Sequence, residues 1–243
     1  MGGNVRLFVL FIATRAALGS GYSAEPMHLP PDSPIRRMLL IPGDAYHGSE
    51  VFARDGDRWL ALTRTPAGYR TSVVTLRIKP AHDGVLDAGN QLTGKSVAVA
   101  ESGDPVFLTK GFRHRAGRAV PTAFDGEAAI TRSNPVHFFF QARKIELLAL
   151  PTGRSDEYPP GTKVEILQVN IKQGDKTTPL PLVVTDYNGV HLLWCGDLDG
   201  DSKPDFLFED SGDDWTSYRL FLSTAAKPGE IAGEAGQFFI TGC

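Results

Sequence analysis

Short apolar or alternating segments, separated by clusters of Gly, Pro, Asp and Asn, run along most of this 243-residue chain. Apolar residues at every second position describe a strand with one face in a core, and turn residues at both ends set its length. Residues 38–41, 59–63, 72–79, 136–140, 145–150, 163–172, 180–185 and 218–222 have this character. The segment from Lys163 to Lys172 nearly alternates, and Gln173-Gly174-Asp175-Lys176 after it predicts a hairpin turn. No apolar stripe of three-to-four-residue spacing extends beyond about 12 residues, so helices should be few and short. The pattern predicts an all-β fold of antiparallel sheets, arranged as a sandwich or a partial propeller.

The start of the chain is different. Arg6 precedes the apolar run Leu7-Phe8-Val9-Leu10-Phe11-Ile12-Ala13, and small residues follow, so residues 1–24 are expected to be an export signal cleaved after Gly19 or Ala24. Pro26, Pro30, Pro31 and Pro34 make residues 25–35 a stiff leader that can enter neither a helix nor the middle of a sheet. The β-rich region is then 36–243, and the crowding of Pro and Gly at 151–161 marks a domain boundary or a long loop within one domain.

The most specific chemistry lies near the C-terminal end. In Asp197-Leu198-Asp199-Gly200-Asp201-Ser202-Lys203-Pro204-Asp205, carboxylates stand at positions one, three, five and nine. Alternate side chains of a turning backbone converge on one side, and carboxylates held that close repel one another unless a cation lies between them. Asp197, Asp199, Asp201 and Asp205, with the carbonyl of Lys203, form an all-oxygen set that suits calcium better than zinc or copper. An EF-hand loop would need Gly at its sixth position, Glu at its twelfth and helical flanks. Here those positions are Ser202 and Phe208, and the flanks 190–194 and 206–208 read as strands.

This strand, acidic loop and strand resemble an FG-GAP or VCBS repeat over residues 188–224, a small part of the chain. The resemblance implies calcium held by the loop's acids and one backbone carbonyl. Ser202 stands where that family usually has glycine, and no second D-x-D-x-D run exists to build a calcium-lined propeller.

Charge and cysteines add less. Loss of residues 1–24 removes Arg6 and Arg15 but no acid, taking the net charge from −3 to −5, which gives no general attraction to nucleic acid or anionic lipid. No run is long and apolar enough to span a membrane. In a secreted or periplasmic setting Cys195 and Cys243 are expected to pair, although spacing alone leaves two free thiols open. Gly89-Asn90-Gln91-Leu92-Thr93-Gly94-Lys95-Ser96 spells a phosphate loop, but its surroundings read as turn then strand rather than strand then helix. The basic stretch 110–118 reads as a solvated loop or an anion-binding patch. Together these features predict an exported calcium-binding β protein with a structural metal site. It would act as a non-catalytic binding or envelope-associated module toward a protein or glycan, with a secreted hydrolase, carbohydrate-active or otherwise and with calcium in a supporting role, as the alternative.

Overall fold

The computed structural model describes residues 38–112, 115–157, 161, 163–186 and 188–241. The expected export signal, the proline-rich leader and Cys243 lie outside them. Within them the chain is almost wholly antiparallel β-sheet, with one short 3₁₀ turn at Ser223–Ala225.

Three sheets are formed. The first takes β1 (Met38–Leu40), β2 (Gly43–Tyr46), β3 (Arg58–Thr65), β4 (Gly68–Ala81), β5 (Gly94–Val99), β6 (Asp104–Lys110) and β7 (Ala119–Val120), in the order β1-β6-β3-β4-β5-β2 with β7 beside β4. After β8 (Thr122–Ala129), the chain builds the second sheet as consecutive hairpins: β9 (Val136–Phe140), β10 (Arg143–Glu157), β11 (Lys163–Gln173) and β12 (Lys176–Val184). The third sheet runs β16-β15-β14-β13-β8, with β13 (Gly189–Gly196), β14 (Asp205–Ser211), β15 (Trp215–Leu222) and β16 (Gly233–Thr241). Gly94–Val99 is a strand, so the phosphate-loop letters lie in a turn and a strand.

The third sheet is covered on both faces, which explains its continuous apolar runs. In β14 Phe206 and Phe208 enter the core shared with the second sheet, while Leu207 between them enters the core shared with the first. The neighbouring strand matches this alternation. Phe206 lies opposite Phe221 and Leu207 opposite Leu220, and each pair shares a core. Trp194 and Phe107 pack edge to face in the first core, with ring centroids 5.6 Å apart; Phe208 and Phe221 do so in the second at 5.6 Å.

Two expectations change. Residues 151–157 are strand rather than loop, because the register shift between Pro151 and Ser155 lets β10 bulge past its proline and glycine without ending. Cys195 is a free thiol, wholly buried in the second core, where burial raises its pKa; among the described residues there is no disulfide. β12, at the border of the second sheet, alternates buried Leu180, Leu182 and Val184 with exposed Pro179, Pro181 and Val183.

Phe208→Ala should lower unfolding free energy by about 3–5 kcal/mol, through lost burial and the cavity left behind. Val183→Ser, on the exposed face of β12, should stay within about 0.5 kcal/mol of the parent. Urea titrations of the two variants check this contrast.

Candidate metal centre

The acidic loop joins β13 to β14, two of the three interior strands of the third sheet. Its path is fixed from below by Leu198, its one leucine, which is 2% exposed and packed in the first core. At its start, Asp197 N donates to Pro121 O at 2.9 Å. A side chain at Gly196 would run into that same carbonyl, at 2.6 Å from the added carbon. Gly200 turns the loop with φ +89°, and Ser202 also takes a left-handed conformation at φ +65°. The residue that departs from the glycine of the resembled repeat thus occupies the backbone region glycine tolerates best.

The loop brings Asp197, Asp199 and Asp205 together. Each offers a carboxylate oxygen, and the three oxygens lie within 4.8 Å of one another. Two oxygens bound to one calcium at about 2.4 Å can be no more than about 4.8 Å apart, so the spacing fits a single cation. The ligand set is all oxygen, which suits a hard ion. Asp199 Oδ1 is buried without a hydrogen-bond partner among the described residues, an arrangement that a cation would satisfy. The cluster could therefore hold a metal ion through Asp197, Asp199 and Asp205.

Backbone amides prepare the other oxygens. Asp205 is fully buried; its Oδ2 accepts from Leu198 N at 2.7 Å and Asp199 N at 3.3 Å, and its Oδ1 accepts from Ser223 N at 2.8 Å. Asp197 accepts from Gly200 N at 2.5 Å and from Ser202 N at 3.2 Å. Asp205 Oδ1 and the two Asp197 oxygens each accept one of these amide bonds and so keep a lone pair for a metal, whereas Asp205 Oδ2 accepts two. Without a cation, burial and the charge of Asp199 push Asp205 up to about 8, despite its three amide donors. Burial also raises Asp199.

Asp201 is placed differently from expectation. Burial would raise its pKa, but it is held below the ordinary value because Ser223 Oγ donates to it at 2.8 Å, Lys203 N at 2.9 Å, and Lys203 Nζ lies 3.2 Å away. It faces those groups and is not one of the three clustered carboxylates. Three further residues escaped the sequence reading. Arg118 donates from Nη2 to the carbonyls of Asp197 and Leu198 at 2.6 and 2.7 Å, and its Nη1 lies 3.5 Å from Asp197 Oδ2. Ser223 Oγ holds Asp201, and Thr224 Oγ1 donates to Asp199 Oδ2. Arg118 belonged to the basic stretch 110–118; its role is to brace the loop rather than to meet solvent alone.

Comparison with protein-family models, with curated proteins and with solved structures yields no match to this chain. Among the described residues no helix is long and apolar enough to cross a membrane.

Two outcomes follow from this geometry. In chelator, stability should fall as pH rises from about 4 to about 8, since Asp205 keeps its proton in the fold across a range where the unfolded chain has lost it. Asp199 acts in the same direction, and Asp199→Asn should flatten the slope by removing the charge that raises Asp205. Urea titrations across this pH range measure both, and a matching slope in the variant would refute the coupling. Ser202→Gly should raise the melting temperature by a few degrees, as relief of left-handed strain is worth about 1 kcal/mol.

Proposed function

We propose that the Asp197–Asp205 loop binds calcium as a structural ion, and that the protein is an exported β module whose business is binding rather than catalysis, at the cell envelope or beyond it. The orphaned Oδ1 of Asp199, beside the buried carboxylates of Asp197 and Asp205, is the observation that carries the reading. Asp197, Asp199 and Asp205 would hold the ion, and the Lys203 carbonyl and Asp201 remain additional ligands within the proposal. The ion would supply the positive charge that the three acids lack and lock the turn between β13 and β14. The strain at Ser202 favours modest affinity. Sites of about 10⁻⁴–10⁻³ M serve extracellular modules, because calcium there is abundant, which agrees with export. The resemblance to an FG-GAP or VCBS repeat supports the same ion in the same loop. A protein or glycan partner would meet loops carried by the rigid sheets.

Calcium at about ten times its Kd should add about 1.4 kcal/mol and raise the melting temperature by about 3–5 °C relative to chelator. Magnesium, smaller and bound to strict octahedral geometry, should do less. Asp199→Asn supplies the sharper test, because its effect should change sign. In chelator it relieves repulsion and stabilises the fold; with calcium it removes a ligand and lowers the melting temperature below that of the parent. A melting temperature unmoved by calcium in the parent protein would defeat the proposal.

A further inference from the structure

A cavity of about 190 Å³ opens beside the acidic loop, at the end of the second sheet where the β9–β10 and β11–β12 turns project. Gln141 and Arg143 line it from the first turn, Gln173 and Lys176 from the second, and Ser202 and Lys203 from the loop. Its wall thus carries three cations against one acid, Glu230, whose Oε2 already accepts from Lys227 N at 2.9 Å. Lys203 is shared with Asp201, but Arg143 and Lys176 form no ion pair among the described residues.

A second observation points the same way. Gln173 Nε2 is buried and has no acceptor among the described residues. A buried donor left unpaired costs about 1–3 kcal/mol, and an anionic oxygen is the partner its neighbours favour. The wall is also strained: among the described residues Gln141, Ala142 and Ser202 are the non-glycine positions with positive φ, and Gln141 and Ser202 both line the cavity. Two-residue hairpins of this hand ordinarily use Asn-Gly, so holding Gln141-Ala142 there is a stability cost typical of functional sites.

We infer that this cavity is a binding site for a small oxyanion-bearing ligand, with Arg143 and Lys176 as the charge partners and the Gln173 amide as the orienting donor. The volume lies below the roughly 300 Å³ at which pockets for drug-sized molecules begin, which suits a phosphate or the carboxylate end of an acidic monosaccharide. The site adjoins the cation loop, with which it shares Ser202 and Lys203, but its charge partners Arg143 and Lys176 belong to the second sheet.

Calorimetric titration of the full chain with inorganic phosphate, and separately with glucuronate, tests the assignment. Both are run in chelator, so that neither calcium phosphate nor a cation in the loop contributes, and a failed calcium reading leaves the result interpretable. At least one probe should bind at a single site, and the identity of that probe distinguishes phosphate from carboxylate. The double variant Arg143→Ala, Lys176→Ala should bind it at least about tenfold more weakly with an unchanged melting curve, since both side chains are exposed. Lys144→Ala, whose Nζ instead pairs with Glu146 at 2.7 Å, should bind as the parent does. Absence of binding by both probes at millimolar levels, or equal affinity in parent and double variant, would overturn the inference.

Discussion

A carboxylate sealed from water at the head of an interior strand governs the C-terminal half of this molecule. Asp205 begins β14, whose next three residues feed two different cores, so the acid cannot move outward without dragging that strand with it. It is held there by amides from both ends of the unit it organises: Leu198 and Asp199 in the loop, and Ser223 after β15. The apolar packing fixes where the carboxyl group must be, and its amide bonds in turn fix the loop. Burial of an ion without full compensation is expensive, so the neighbouring geometry is organised around reducing that expense.

Arg118 shows how far the compensation extends. It reaches the loop from just before β7, 80 residues away from Leu198, and satisfies two carbonyls that would otherwise face a crowded acidic turn. The first sheet thereby contributes a bracing cation to a loop of the third. The second sheet contributes the opposite wall of the neighbouring cavity through its two hairpin tips. Loop, brace and cavity therefore depend on all three sheets, although most of the acidic residues come from nine consecutive positions.

The fold was legible where burial leaves a periodic trace. β9 matches the expected 136–140, and the hairpin at Gln173 to Lys176 closes as its residues suggest, because alternation and turn chemistry agree there. β8 and β16 left no such trace: Thr122–Ala129 holds few large apolar residues and is mostly exposed or half-buried, and Gly233–Thr241 keeps only Phe238 fully inside. β10 was hidden by Pro151 and Gly153, which signal a loop but are absorbed in a bulge. Within the site, three of the four acids converge as their spacing implies. Asp201 does not, because alternation along a chain cannot reveal that Ser223, 22 residues later, will claim its carboxylate. Arg118 and Thr224 were invisible for the same reason. Ser202 departs from the glycine of the resembled repeat, and its positive φ shows why the position is sensitive.

The border strand β12 has a consequence beyond this single molecule. Pro179 and Pro181 remove two amide donors from its free side, and the carbonyl of Pro181 is already taken by Arg219 Nη1 at 2.5 Å. A second chain arriving at this edge would find a ladder with missing rungs, so the β12 border cannot readily serve as a template for intermolecular strand addition. Protection of this border is thus written into the same hairpin that presents Lys176 at its tip.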